Sequence, residues 1–160
     1  EQPTQLFWNC GSTCSRQFVH VPLGTTGDLA KPVVGRGAAY ADIDGDGDLD
    51  VVIAQVNRVP LVLRNEQALM HHWLRLKVVG SGMNREAIGA RVEVRTGNVT
   101  QTRVVMPSRG YLAQVELPVT FGLGTADRVD SVRVIWPDGV RREWTDVVLD
   151  QETILVRPEP

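Results

Sequence analysis

No apolar run in the chain approaches the roughly 20 residues that span a bilayer, and no charged-then-apolar leader opens it. The sequence therefore reads as a soluble chain with no membrane span. Clustered basic residues are also missing: 17 lysines and arginines are scattered among 19 acidic residues, for a formal net charge of -2. That excludes the basic face expected of a nucleic-acid binder. Helical periodicity is absent over any useful length; the run NEQALMHH from Asn65 offers at most one or two turns as a connector. There are only two cysteines and three histidines, so a zinc site with four soft ligands is a weak reading. No catalytic set emerges either. Ser108, in MPSRGYL, lacks the Gly-x-Ser-x-Gly setting of a hydrolase elbow, and no His/Asp order suggests a triad. Gly122 and Gly124 lack the Lys-Ser/Thr pair and following helix of a phosphate loop and read as turn residues. An enzyme is not expected. The opening EQPTQ has no methionine, which suits either a mature chain after signal removal or an excised fragment.

What the chain has is 160 residues at 42% hydrophobic content, enough for one ordinary domain or two small ones with a real core. Short runs rich in Val, Ile, Leu and aromatics recur between Gly, Pro, Asp and Asn, the pattern of many short strands. Strands are predicted at 5–9, 17–21, 37–41, 50–55, 61–65, 73–79, 90–96, 100–106, 119–123, 131–136, 141–144 and 153–157. The fold class is all-β. At 90–96 the alternation is strict: Val92 and Val94 share one face while Arg91, Glu93 and Arg95 take the other, so that strand buries one side only. WPDGV from Trp136 predicts a hairpin turn, and TGNVT around Gly97 and Asn98 a second reversal. Composition shifts near 66–72, which sets the expected division: 1–65, a linker at 66–72, and 73–157.

The most informative stretch is YADIDGDGDLDVVIA. Counted from Asp42, carboxylates fall at positions 1, 3, 5, 7 and 9, as Asp42, Asp44, Asp46, Asp48 and Asp50, with Gly45 and Gly47 between them. Carboxylates this close repel unless a counter-charge sits among them. Calcium accepts about 6–8 oxygen ligands in flexible geometry, which a short Asp/Gly loop supplies; magnesium tolerates such crowding less well. The helix-loop-helix calcium site starts similarly but needs a bidentate Glu at its twelfth position, and here that position is Ile53. The loop instead runs directly into VVIA, so it should join two strands. Side-chain ligands are expected from Asp42, Asp44, Asp46 and Asp50, with the backbone carbonyl of Asp48. Asp44→Ala or Asp50→Ala is then expected to lower thermal stability in calcium and to change little in chelator.

GRGAAYADIDGDGDLDVVIAQ followed by PLVLRN resembles an FG-GAP or VCBS repeat, the blade unit of integrin-type β-propellers. HWLRLKVVGSGMNREAIGARVEV, GYLAQ, FGLGTADRVDSVRVIWPDG and the closing TILV resemble the ASPIC/UnbV domain, an all-β extracellular module. The resemblance implies a blade-like region with its calcium in an inter-strand hairpin loop over 1–65, then a small β-sandwich or barrel-like domain over 73–157. It also implies that the opening strands are the last two of a preceding blade and 61–65 the third strand of the next. A propeller closes only with about 4–8 blades, so the unpaired sheet edges are templates for further strands.

The remaining candidates are plainer. Cys10 and Cys14 read as a disulfide stapling a tight loop in an oxidising compartment, with a zinc half-site as the rival. His71 and His72 are adjacent and would point to opposite faces of a strand; His20 reads as a surface or packed residue. Trp8, Trp73, Trp136 and Trp144 lie in strand-like runs, which favours core packing over sugar stacking. Asn98-Val99-Thr100 is a glycosylation sequon in a predicted loop. Together these give an expected calcium-stabilised structural or adhesive protein, extracellular or at the cell surface, that self-associates or binds an extracellular protein or glycan. The alternative is a carbohydrate- or protein-binding accessory module at the C-terminus of a larger secreted propeller protein.

Overall fold

The computed structural model describes residues 1–10, 14–66 and 69–159. Among these the secondary structure is strand, apart from two 3-10 turns at Leu23–Thr25 and Gly27–Ala30. The all-β expectation holds. The connector proposed from Asn65 includes two positions outside the described residues, and its described members up to His71 carry no helix.

Among the described residues, seven strands lie between Gln2 and Leu63. β1 (Gln2–Pro3) pairs with β4 (Pro32–Val33), and β2 (Phe7–Asn9) with β3 (Phe18–His20) in a hairpin. A disulfide joins Cys10 to Cys14 at the end of that hairpin. β5 (Gly35–Ala41), β6 (Asp50–Gln55) and β7 (Leu61–Leu63) form an antiparallel meander in the order β5-β6-β7. The β5–β6 connection is the aspartate loop, and Ala41 pairs directly with Asp50 at its base.

Nine strands follow: β8 (His72–Val79), β9 (Arg91–Thr96), β10 (Val99–Val104), β11 (Ser108–Gly110), β12 (Ala113–Gln114), β13 (Val119–Gly124), β14 (Ser131–Ile135), β15 (Arg141–Trp144) and β16 (Glu152–Val156). They form a four-stranded sheet, β10-β9-β14-β15, a three-stranded sheet, β13-β8-β16, and a small hairpin, β11-β12. Alternation explains the layering. Val92 and Val94 of β9 and Val132 and Val134 of β14 meet Leu74, Leu76 and Val78 of β8, Phe121 of β13 and Leu155 of β16 in one buried cluster. Two sheets closing on a shared apolar layer make a sandwich. The turn at Trp136 forms as its residues dictate: the Gly139 N–H donates to the Trp136 carbonyl at 2.9 Å, and Gly139 supplies a φ of 86°.

One pairing departs from the antiparallel pattern. β16 lies parallel to β8, with Glu152 opposite Arg75 and Val156 opposite Val79. The chain has crossed to the other sheet and back before β16 forms, so no hairpin fixes its direction.

The apolar cluster draws only on residues between Leu74 and Leu155. Upstream, among the described residues, the buried hydrophobics are Cys10 and Ile53. The β2–β3 hairpin is exposed along its length, including Phe7, Trp8, Phe18 and Val19. The tryptophans therefore divide. Trp136 is core at 2% exposure, Trp144 packs against that core, Trp73 is half-buried, and Trp8 is 58% exposed and not core. Trp8 departs from the core expectation because a two-stranded ribbon has no second layer to cover it.

Candidate metal centre

The loop between β5 and β6 turns back on itself through hydrogen bonds from backbone to carboxylate. Asp42 accepts the Gly45 N–H on Oδ1 at 2.7 Å and the Gly47 N–H on Oδ2 at 3.2 Å. Asp46 accepts the Asp48 N–H at 2.9 Å. Asp50 is buried, with 1% exposure; it accepts the Ile43 N–H across the loop at 2.9 Å and the Asn65 N–H beyond β7 at 2.8 Å. A buried carboxylate is tolerable only with donors of this kind.

Asp42, Asp44 and Asp50 each bring one oxygen to within 4.8 Å of the other two. Across a calcium ion with bonds of about 2.3–2.6 Å, opposed ligands lie about 4.6–5.2 Å apart, so three hard oxygen donors at this spacing fit a hard divalent cation. They form an acidic group able to hold a metal. Asp46 and Asp48 lie outside that trio and border a cleft of about 470 Å³ shared with Arg64, Met70, His71 and Trp73. Partial burial, then repulsion from Asp46, Asp42, Asp50 and Asp44, pushes the Asp48 carboxyl above its ordinary value. The loop's negative charge is thus only partly compensated by the protein itself.

Two arginines supply that compensation. Arg64, just past β7, approaches Asp44 at 3.3 Å and Glu66 at 2.7 Å. Arg75, on β8, faces Asp42 at 3.5 Å, and the Asp42 side chain is only 4% exposed. Its guanidinium also forks onto Glu116 and reaches Glu152 at 3.1 Å. Burial works against the Arg75 charge, but the bonds to Glu116 and Glu152 and the charge of Asp42 outweigh it and raise its pKa. Trp73 completes the surround. A side-chain Cβ at Gly47, where φ is 93°, would lie 2.1 Å from the nearest atom of its indole, so only glycine fits there.

None of Arg64, Arg75 and Trp73 was singled out as part of the site from sequence. Arg75 and Trp73 occupy the outward positions of an alternating strand, which resemble any solvated face; only the regular alternation of β8 marks them as sharing that face. His72 meets Asp150 at 2.7 Å and His20 stacks edge-on with Phe7, so both lie away from the acidic trio.

The ASPIC and UnbV family matches residues 80–160. Cartilage acidic protein 1 from Xenopus tropicalis, Mus musculus and Homo sapiens is similar to the chain, in each case 36% identical over 118 residues, covering 71% of this chain and 18% of the relative. The chain thus spans about a fifth of the length of these relatives.

Proposed function

The chain belongs to the ASPIC and UnbV family, and from that premise we propose that it is a non-catalytic extracellular β protein in which a calcium ion held by the 42–50 loop stabilises a structural or adhesive fold. The observation that carries this reading is the convergence of Asp42, Asp44 and Asp50 on one point. In a filled loop Asp46 and the Asp48 carbonyl would join them, bringing five of the roughly 6–8 oxygen ligands calcium takes. Because the ordered loop exists only in the folded chain, binding free energy becomes folding free energy. The aspartate loop and the β5-β6-β7 meander support an FG-GAP- or VCBS-like unit over 1–65, followed by a linker at 66–72 and the family domain over 73–157. The Cys10–Cys14 disulfide and the word cartilage in the relatives' name support an extracellular location. The carboxylates held below their ordinary values, Asp138, Glu143 and Asp150, are surface partners of Arg157, Arg133 and His72, a pattern of ion pairing rather than of acid-base catalysis.

Calorimetric titration with calcium tests the reading. Stoichiometric binding to the wild type that is abolished in Asp44→Ala supports it; the absence of any binding heat at millimolar calcium, together with no calcium-dependent rise in melting temperature, overturns it.

Association of copies through open edges belongs to the same proposal. β7 ends its sheet with Val62 exposed, and an unpaired edge of this kind accepts another strand. Sedimentation velocity in calcium and after chelation decides it: only monomers at high concentration would remove self-assembly from the function. The aromatic hairpin favours a second reading, an accessory module that binds glycan or protein through Trp8, Phe7 and Phe18, all exposed. Tryptophan emission that shifts on glycan titration in the wild type and not in Trp8→Ala would support it.

A further inference from the structure

Strand β8 faces two ways. Leu74, Leu76 and Val78 point into the sandwich core, whereas the alternate residues Trp73 and Arg75 point to the acidic loop of the other sheet. Neither grip is loose. The Trp73 backbone is fixed on both sides by Asp150, whose carboxylate accepts the Trp73 N–H at 3.0 Å and whose N–H donates to the Trp73 carbonyl at 2.9 Å. The loop backbone at Gly47 lies directly on the indole held in this way. Arg75 is anchored within the sandwich by Glu116, ahead of β13, and by Glu152 of β16. Its remaining approach is to Asp42, a member of the acidic trio. One carboxylate therefore belongs to two structures at once, the cation-holding loop and the ion network of the sandwich. The other two members of the trio are tied to the exit from β7, Asp44 to the Arg64 side chain and Asp50 to the Asn65 N–H.

We infer that Trp73 and Arg75 are positioning residues that clasp the loop to the sandwich, so that a cation in the loop locks the β5-β6-β7 sheet to the C-terminal domain and its removal releases that junction. This rests on the calcium reading given above. An ion shifts such an equilibrium only through different affinities for the clasped and released states. That difference arises here because the clasp fixes Asp42 and the Gly47 backbone in place, preorganising one ligand and one turn of the loop, whereas release leaves both to be ordered at the moment of binding. Arg75 also keeps its charge satisfied in either state through Glu116 and Glu152, so the sandwich survives release.

Hydrogen exchange of the full chain, with and without calcium, tests this beside calorimetric titration of the same samples. At free calcium ten times its dissociation constant, β8 and β16 amides that exchange through opening of the junction should slow by about tenfold in the wild type. In Arg75→Gln calcium should still bind, and that slowing should be lost; Trp73→Phe, which keeps a ring against Gly47, should retain most of it. Binding heat without any change in β8 exchange would overturn the clasp and leave the calcium site standing. No binding heat would overturn both. Full calcium-linked protection in Arg75→Gln would remove Arg75 from the clasp, and the wild-type comparison remains decisive if that variant does not fold.

Discussion

Asp44 and Asp50 belong to the same acidic trio, yet they are held by different partners. Asp44 is exposed and pairs with Arg64, while Asp50 is buried under two backbone N–H groups that need it whether or not an ion is present. The uniform expectation for the two alanine variants therefore divides. Asp44→Ala should lower the melting temperature in calcium and leave it nearly unchanged in chelator. Asp50→Ala should cost about 1–3 kcal/mol in both conditions, because two partly buried donors lose a charged acceptor; urea unfolding with and without chelator separates the two. Gly47→Ala is expected to be severe in either condition, at least about 1–3 kcal/mol from the left-handed backbone alone with displacement of Trp73 in addition, and near-ultraviolet circular dichroism should register the tryptophan's changed setting. Carboxylate spacing made the loop legible in the sequence, since repulsion among near neighbours is local information. Which of these residues are buried, and by what, depends on partners such as Asn65 and Arg75 that no local spacing reveals.

All twelve runs read as strands contain strands, because apolar and aromatic runs bounded by turn residues are the signature of short strands, and several also alternate. The pieces that went unread are β1, β4, β11 and β12, of two or three residues each. Segments of that length carry no period, and their pairing is imposed by the strands around them. The parallel register of β16 on β8 was equally invisible, since it links residues far apart in the chain. Phe121 illustrates what the alternating strands accomplish together: it is fully buried between the two sheets, and Phe121→Ala should cost about 3–5 kcal/mol by leaving a cavity. The same change at exposed Phe18 should cost far less, and urea midpoints of the two variants check the contrast.

Over the whole molecule, stability has an uneven source and a definite pH dependence. The main apolar cluster lies between Leu74 and Leu155, so residues 1–65 expressed alone should show no cooperative thermal transition, while 69–160 should keep one; calorimetry of the two pieces tests this. Hydrogen bonds from Arg157, Arg133 and His72 hold Asp138, Glu143 and Asp150 below their ordinary values of 3.8, 4.5 and 3.8. The folded chain therefore binds fewer protons than the unfolded one at these sites. Their stabilising contribution is complete above those values and is lost as pH falls through the lowered folded ones. Asp48 has the opposite sign: its raised value makes its charged form unfavourable in the fold, a penalty that grows as pH rises past 3.8. In chelator the urea midpoint should fall as pH drops below about 4. The parallel contact between β8 and β16 has a consequence during synthesis. The first strand of the sandwich emerges from the ribosome long before its neighbour β16, so the nascent chain presents one bare flank of β8 throughout translation of the intervening strands. Completion of the sheet waits on Glu152–Val156, and a ribosome stalled before they emerge would hold a domain with its other strands in place and its first strand still open to intruders.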